Sequence, residues 1–526
     1  MTRSALAAVF FLIASTTFAG GSVTAKKAAL STAHPLATKA GLAVLQRGGT
    51  AADAAVAVAF ALSVVHPQAG GIGGGGFLVY YDAQTRGVWT LDFREVSSRG
   101  VTRAAFSKPQ AGALSGSVPG TVAGLEALHE KFGNRAWKEL LDPSIALARE
   151  GFVVDAELLA DIAAAKERKL NVLPDATLGK PLAQAELATT LQKIAEDGAK
   201  ALYDGDLSKK FVESVQDAGG TIGYRDLREY EPVWRAPIML RYGAYELYTI
   251  APPSSGGVVM GETLNILAND DLAAAGFQTQ KAVHLFGEAA RRAQIDAHRY
   301  VADPSTARIP YRDLLSHARA AQWRKTIDMT RAIATVGLAE PTELTIEGEH
   351  TTHFTIADAE GNVVALTMSL GDLFGSGFAV APLGFFLNNA MNDFTSGPNI
   401  VDPNKRAASP LTPTIVLRDK RPFLALGTRG GSTIPSTVLQ VFLNIVVHRR
   451  TLAAAIAAPR YHQDDVPDQL LFERPLAPKK LIDALNEMGH GVGGRDAIGD
   501  VHAILFENGR LIAVADPRRG GAAGGY

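Results

Sequence analysis

The sequence contains no cysteine among its 526 residues. This absence excludes disulfide bonds, thiolate metal sites, iron–sulfur clusters and a cysteine nucleophile. The sequence also has no excess of charge of one sign, because 52 Lys and Arg residues stand against 53 Asp and Glu residues, for a net charge of −1. A near-neutral chain has no overall electrostatic attraction to nucleic acid or to an anionic membrane, so neither is expected as a partner.

Histidine pairs with metal-ligand spacing are missing as well. The 12 histidines are scattered and show no H-E-x-x-H or comparable pattern, so neither a metal nor a cofactor is expected. The apolar stretch at residues 51–65 contains Asp53 and is shorter than the ~20 residues of a membrane helix. Thr50 and Asp53 resemble a capping box and His66-Pro67 ends the pattern, so a buried helix is predicted.

The first 25 residues have the pattern of a secretory signal. Arg3 precedes an apolar run at residues 5–14, and small residues dominate from 15 to 25, which is the usual order of such a leader. Cleavage is predicted after Ala19 or after Ala25. A buried N-terminal helix is the alternative. We expect an exported protein, periplasmic or secreted, without a stable membrane span.

Helical and strand patterns alternate along the rest of the chain. Residues 35–47 and 282–302 have helical periodicity. Arg291 and Arg292 lie in the second of these helices, and we interpret them as part of a solvated face.

The chain changes character at residues 337–350, where Pro341 and four glutamates indicate an exposed acidic connector. Alternating apolar residues and a turn at 359–362 then predict a β-hairpin over residues 351–370. The hairpin therefore begins with Thr351 at the end of a connector.

Thr351 is a candidate nucleophile. A threonine hydroxyl needs a base beside it, and an N-terminal threonine can use its own α-amine, whose pKa is about 7.7–8.0. An internal threonine must first be released by cleavage of the preceding peptide bond. Taken alone, the Thr351-Thr352 pair is better explained by β propensity.

Two glycine clusters invite a ligand-binding interpretation. Residues 427–432 precede a helical pattern, and Gly430 and Gly431 can offer peptide N–H groups to an anion; a plain strand–turn–helix loop is the alternative. Residues 70–76 formally satisfy G-x-G-x-x-G. They follow a helix and enter a strand, which is the wrong order for a dinucleotide site. A tight structural turn near a pocket is therefore favoured there over nucleotide binding.

A polar cluster at residues 387–394 follows an apolar run. Its carboxylate, Asp393, is a candidate for recognising a substrate ammonium group. A loop of Asx turns is the alternative.

Together these motifs resemble the γ-glutamyltranspeptidases (glutathione hydrolases) of the N-terminal-nucleophile hydrolase superfamily. The resemblance runs from about His34 to Tyr526. The segments that carry it are residues 66–77, 92–95, 116–124, 252–257, 351–353, 388–394, 413–416, 430–432 and 516–521.

The resemblance implies an α+β fold, a four-layer αββα sandwich made by two subunits from one precursor. The precursor would be cut between His350 and Thr351. Residues 26–350 would form the large subunit and residues 351–526 the small subunit, interleaved in one fold.

The resemblance also implies roles for individual residues. Catalysis would use Thr351 as nucleophile, Gly430 and Gly431 as oxyanion donors, and the Ser369 hydroxyl as a hydrogen-bond partner of the nucleophile. Arg94 would bind the substrate α-carboxylate, Asp393 would face the α-amine, and Ser409 would contact substrate. The activity implied is transfer of a γ-glutamyl group, from glutathione or related amides, to water or an amine acceptor.

The chain also departs from the family pattern. Gly371, Ala390 and Pro410 replace polar residues that often contact substrate, and the segment 395–405 is too short for the lid that many members carry. A related glutaryl or cephalosporin-type acylase is therefore one alternative, and an unprocessed, non-catalytic homologue is another.

Overall fold

The structure is a computed structural model that describes residues 21–106, 108–339, 348, 350–475 and 477–526. The predicted leader up to residue 20 lies outside these residues, as does most of the predicted acidic connector.

Helices dominate the region between residues 121 and 324. In chain order the helices are α1 (Pro35–Gln46), α2 (Ala51–Val65), α3 (Thr121–Phe132), α4 (Trp137–Glu150), α5 (Ala156–Glu167), α6 (Ala185–Asp197), α7 (Lys200–Tyr203), α8 (Asp206–Asp217), α9 (Tyr224–Arg228), α10 (Gly256–Ile266), α11 (Leu272–Ala275), α12 (Gln280–Tyr300), α13 (Tyr311–Leu314), α14 (His317–Arg324), α15 (Ile434–Val446), α16 (Leu452–Ala457) and α17 (Lys479–Glu487).

Strands dominate both ends of the chain. They are β1 (Ser22–Ala25), β2 (Ala29–Thr32), β3 (Gly75–Asp82), β4 (Gly87–Asp92), β5 (Phe152–Val153), β6 (Pro181–Leu182), β7 (Val233–Arg235), β8 (Ile238–Tyr242), β9 (Tyr245–Thr249), β10 (His350–Ala357), β11 (Val363–Gly371), β12 (Ala379–Val380), β13 (Phe385–Phe386), β14 (Thr414–Arg418), β15 (Arg421–Gly427), β16 (Tyr461–Gln463), β17 (Leu470–Glu473), β18 (Val492–Arg495), β19 (His502–Glu507), β20 (Arg510–Ala515) and β21 (Ala522–Gly525).

Two seven-stranded antiparallel sheets form the centre of the α+β fold. The first sheet has the order β1-β20-β19-β15-β14-β9-β8, and the second has the order β21-β2-β10-β11-β3-β4-β7. Each sheet combines strands from before and after residue 350. The two parts of the chain that flank this position therefore share both sheets.

The apolar core has three large parts. One contains Val79 and Ala365 of the second sheet together with Ile415 and Ile504 of the first, so side chains of both sheets meet there. Another joins helices such as α1 and α2 to the second sheet. The third joins α10, α12 and α15 to the first sheet.

The sequence patterns correctly predicted the first two helices. α1 and α2 form where helical patterns are predicted, and Thr50 and Asp53 make the reciprocal hydrogen bonds of a capping box. The predicted hairpin is confirmed as β10 and β11, which pair from His350 to Ala357. Within the described part of the chain, no helix is both long enough and apolar enough to cross a membrane.

The interpretation of Arg291 and Arg292 as a solvated face is wrong. Their side chains are 2% and 0% exposed, and both form ion pairs with Glu288. Glu288 lies one helical turn before them on α12, which is the spacing at which side chains meet. The arginines can be buried because Glu288 and Asp468, the latter 3.0 Å from Arg291 Nε, together compensate their charges.

Candidate active site

Thr351 lies near the start of β10, in the interior of the second sheet. It pairs with Ser369 on β11 and is only 1% exposed. The ladder shifts register between His350 and Thr351. His350 pairs with Gly371, so one residue of β11 is left unpaired at this point, as in a β-bulge. The peptide bond before Thr351 therefore lies at an irregularity of the sheet.

A continuous hydrogen-bond chain links Thr351 to the carbonyl of the preceding residue. Thr351 Oγ1 donates to Ser369 Oγ over 3.1 Å, and Ser369 Oγ donates to the His350 carbonyl oxygen over 3.3 Å. The Gly371 N–H donates to the same Ser369 oxygen over 2.8 Å. Since a hydroxyl has one proton and two lone pairs, these three contacts use the full capacity of Ser369.

His353, the third residue of the Thr-Thr-His motif, has a structural environment. Its Nδ1 lies 2.8 Å from Thr367 Oγ1 and its Nε2 lies 3.0 Å from Thr355 Oγ1. Burial lowers the pKa of His353 well below its ordinary value, so the ring is neutral. Both ring nitrogens are thus engaged by threonines other than Thr351.

The loop that contains Gly430 and Gly431 connects β15 to α15. Gly430 has φ +131°, a conformation that favours glycine. Its carbonyl accepts hydrogen bonds from the Thr433 N–H and hydroxyl. Arg429 Nη2 donates to His350 Nδ1 over 2.8 Å, so this loop reaches the residue immediately before Thr351.

Arg94 and Asp393 come together from distant parts of the chain. Arg94 Nη2 lies 2.7 Å from Asp393 Oδ2, and Arg94 Nη1 lies 2.9 Å from Glu95 Oε2. All three side chains are buried. Burial raises the pKa of both Asp393 and Glu95, while the Arg94 guanidinium opposes the shift. One buried cation thus stands between two buried carboxyl groups.

The glycine run at the start of β3 lies between the Thr351–Ser369 pair and the Arg94–Asp393 pair. Gly75 pairs with Ser369 across the sheet, and the next residue, Gly76, exchanges backbone hydrogen bonds with Phe93. Three strand spacings therefore separate the Thr351 and Phe93 backbones, about 14 Å at ~4.8 Å per strand.

Two asparagines hold the segment that carries Asp393. Asn388 Nδ2 donates to the carbonyls of Gly73 and Ser117. The Asn389 N–H donates to Leu370 O. The segment thereby runs from β11 to the Arg94 region. The Asx-turn alternative holds in part, because the Ala390 N–H donates to Asn388 Oδ1 over 3.1 Å, while the Asn388 Nδ2 contacts are long-range.

Gly371 has no room for a side chain. Its φ is +91°, and a Cβ there would lie 2.0 Å from Asn389 Oδ1. Asn389 Nδ2 donates to Asp372 Oδ2, and its Oδ1 accepts from the Asp372 N–H. The Asn389 amide therefore occupies the space beside Gly371.

Ser409 is buried beside the turn before α10. Its N–H donates to Pro253 O and its carbonyl accepts from the Ser255 N–H. Its hydroxyl accepts from the Leu411 N–H over 3.4 Å. Among the residues that the structure describes, none of these hydrogen-bond partners of Ser409 is another predicted site residue.

Two residues of this region were missed by sequence reasoning. Glu95 had a signal, since it directly follows Arg94 in a motif. Arg429 had only a weak one, as the single charged residue in a glycine-rich loop. Its contact with His350 joins positions 79 residues apart in the chain.

The fold also brings together histidine and carboxylate side chains, which can bind metals, from positions that show no metal-binding spacing in the sequence. His284, Glu288 and His490 form one group, and His298 lies with Asp464 and Asp465 in another. In the first, the two histidine rings bond each other over 2.9 Å and Glu288 is held by arginines. The expectation of no metal stays a prediction.

Comparison with known proteins identifies the family to which this chain belongs. The sequence profile of the gamma-glutamyltranspeptidase family matches residues 37–526. The chain is 34% identical over 533 residues to the glutathione hydrolase proenzyme of Escherichia coli (strain K12), covering 94% of this chain and 91% of the relative. It therefore belongs to the gamma-glutamyltranspeptidase family, and the resemblance seen in the sequence is confirmed.

Relatives of a second kind match almost as well. The acylase ACY 1 proenzyme of Pseudomonas sp. (strain V22) is 34% identical over 512 residues, covering 92% of this chain and 90% of the relative. The crystal structure of cephalosporin acylase from Bacillus halodurans superposes with a TM-score of 0.87 at 27% identity, covering 98% of this chain and 99% of that one. The family is thus clear, while its members include both glutathione hydrolases and acylases.

Proposed function

We propose that this protein is an exported, self-cleaving γ-glutamyl hydrolase or transferase with Thr351 as its nucleophile. The observation that carries the proposal is the hydrogen-bond chain from Thr351 Oγ1 through Ser369 Oγ to the His350 carbonyl. It joins a nucleophilic hydroxyl to the carbonyl that it must attack. The proenzyme relatives support the same conclusion.

Cleavage proceeds as an N-to-O acyl shift followed by hydrolysis. Thr351 Oγ attacks the His350 carbonyl carbon, and the Thr351 nitrogen leaves as the free α-amine, with the hydroxyl proton relayed to it. Water then hydrolyses the ester, which releases the His350 carboxylate and restores the Thr351 hydroxyl. Residues 26–350 and 351–526 become large and small subunits of one interleaved αββα fold. The shared sheets and the helices packed on each of them support this layering.

The mature enzyme uses the Thr351 amine as base. The hydroxyl attacks the amide carbonyl of the donor, and the Gly430 and Gly431 N–H groups stabilise the oxyanion. The amine proton passes to the leaving nitrogen, and water or an amine acceptor then resolves the acyl-enzyme. No metal or cofactor is needed in this scheme.

Charge balance favours a γ-glutamyl donor over a glutaryl donor. The acyl end of a γ-glutamyl group carries a carboxylate and an ammonium, which pair with Arg94 and Asp393 respectively and replace their direct ion pair. A glutaryl group brings only the carboxylate, so it competes with Asp393 for Arg94. Because buried charges are costly unless paired, the zwitterion fits this site better. Ser409 remains a proposed contact.

The acylase alternative rests on a specific observation. Gly371 offers no side chain to substrate, and the adjacent space holds the Asn389 amide. Kinetics on matched γ-glutamyl and glutaryl anilides distinguish the two donors. A tenfold preference for the glutaryl anilide, about 1.4 kcal/mol in the transition state, would assign the chain to the acylases.

Self-cleavage is tested by a denaturing gel of the purified protein with N-terminal sequencing. We expect two fragments, one of which begins at Thr351, and a Thr351→Ala variant that stays whole and inactive. Thr352→Ala is the matched control: it removes a neighbouring buried hydroxyl and should still be cut. A single band near 55.5 kDa for the wild type would instead support a non-catalytic homologue.

A further inference from the structure

We propose that Arg429 is a positioning residue for cleavage of the precursor, acting through the side chain of His350. This inference deepens the proposed function and rests on it, since it concerns the step that cuts the chain before Thr351. Its basis is the hydrogen bond of 2.8 Å from Arg429 Nη2 to His350 Nδ1.

The polarity of this bond is fixed. Arginine can only donate, so His350 Nδ1 must accept with its lone pair and the ring proton must lie on Nε2. Burial, reinforced by the charge of Arg429, lowers the pKa of His350 to about 2. The imidazole is therefore neutral near neutral pH, and the bond keeps its direction.

The Arg429 guanidinium is itself held in place. Its side chain is 6% exposed, and its Nη1 lies 4.0 Å from Glu157 Oε1 on α5. The loop is braced at the preceding residue, where Thr428 Oγ1 accepts from the Asp500 N–H over 2.8 Å. A rigid, buried donor suits a positioning role because little freedom is lost when it binds.

His350 is thus restrained at three points around the bond to be cut. Its backbone pairs with Gly371, its carbonyl accepts from Ser369, and its ring accepts from Arg429. The third contact fixes its side chain and so keeps the carbonyl against the Ser369 hydroxyl.

The same bond aligns the loop with the scissile carbonyl. Arg429 directly precedes Gly430, whose N–H is a proposed oxyanion donor. Fixing Arg429 on His350 therefore sets the loop and the carbonyl relative to each other before attack. Acceleration by such alignment is lost when the reacting groups move by as little as 1 Å.

The test follows cleavage of the full-length chain during cell-free synthesis, with a pulse of label and sampling on denaturing gels. We expect His350→Ala and Arg429→Gln each to slow cleavage by about tenfold or more, which corresponds to about 1.4 kcal/mol. The double variant should be no slower than the slower single variant, because both changes remove one bond.

Two further variants separate positioning from general structural damage. Asparagine places an acceptor oxygen near the position of the imidazole Nδ1, so His350→Asn should cleave within about threefold of the wild type. Arg168→Gln removes another charge that acts on His350 but is paired with Asp372 and half exposed; it should also cleave within about threefold. Thermal melting verifies that each variant folds. His350→Ala and His350→Asn both keep Arg429, so the comparison between them does not involve the loss of a buried arginine.

The outcomes are distinct. If the wild type is cut and Arg429→Gln is cut at the same rate, the positioning role is wrong while the proposed function stands. The positioning role would also be overturned if the rate losses of His350→Ala and Arg429→Gln multiplied in the double variant. The same holds if His350→Asn were cleaved as slowly as His350→Ala. If the wild type is never cut, the proposed self-cleavage falls and this inference falls with it.

Discussion

The Arg94 guanidinium and the Asp393 carboxylate form a buried ion pair with an N–O distance of 2.7 Å. They are 299 residues apart in the chain. Both are proposed to contact opposite charges of one substrate, and a zwitterion would replace their direct contact with one ion pair to each.

Asp393→Asn should therefore separate two donor classes. We expect kcat/KM for a γ-glutamyl anilide to fall by about tenfold to hundredfold, since a charge-assisted hydrogen bond is lost in a buried site. The glutaryl anilide should lose no activity and should gain, because it has no ammonium and no longer competes with a carboxylate for Arg94. Asp372→Asn is the control for loss of a nearby carboxylate, and an equal loss on both donors would contradict the assignment.

The same pair predicts a pH effect on specificity. Burial raises the pKa of Asp393, so the carboxylate protonates at a higher pH than an ordinary aspartate. As the pH falls through this raised pKa, the preference for γ-glutamyl over glutaryl anilide should decline. Taking the ratio of kcat/KM values cancels the titration of the Thr351 amine, which both donors share. A ratio that is constant across acidic pH in the wild type would rule this out.

Ser369 links the nucleophile to the scissile carbonyl, so its hydroxyl should matter for cleavage. We expect Ser369→Ala to slow fragment formation by about a hundredfold, the lower range for loss of a proton-transfer group. Ser369→Thr keeps the hydroxyl and should retain most of the rate. The measurement is the time course of precursor loss on a gel, and wild-type kinetics in the alanine variant would refute the role.

Glu262 on α10 predicts a pH dependence of stability. It is buried beside Asp296, and burial raises its pKa from 4.5 to about 10. The unfolded chain loses this proton near pH 4.5 while the folded chain keeps it, so rising pH favours unfolding across this interval by up to about 1.4 kcal/mol per pH unit. Glu262→Gln removes this contribution.

We therefore expect Glu262→Gln to be more stable than the wild type at pH 8 and similar to it near pH 4.5. Urea unfolding at the two pH values measures the difference. Equal stability gaps at both pH values would show that Glu262 does not hold a proton in the folded protein.

The leader prediction can be sharpened by the first strand. β1 covers Ser22–Ala25 and pairs with Val514 to Leu511 of β20. Cleavage after Ala19 keeps this strand, whereas cleavage after Ala25 removes it and exposes the edge of the first sheet. We expect the exported protein to begin at Gly20, which intact mass spectrometry of the large fragment measures. A measured mass that matches a fragment beginning at Lys26 would favour cleavage after Ala25.

Several candidate site residues could be predicted because their signals are local. Thr351 at the start of a strand, glycines before α15 and a carboxylate in a polar cluster each have a signature within a few residues. Arg291 and Arg292 show the opposite case. Paired charges on one helix suggest a solvated face, and only the packing of α12 against the first-sheet core shows that Glu288 and Asp468 compensate them in the interior.

The sequence by itself determined the family and most helices and strands and supplied a candidate hydroxyl nucleophile, because these depend on residue type and short-range periodicity. Tertiary structure alone decided which groups meet: Arg94 with Asp393, Ser369 with the His350 carbonyl, and Arg429 with the His350 ring. These contacts depend on sheet register and on loops brought together across the chain. Long-range pairing of that kind has no local energetic signature, since it is settled only when both sheets have formed.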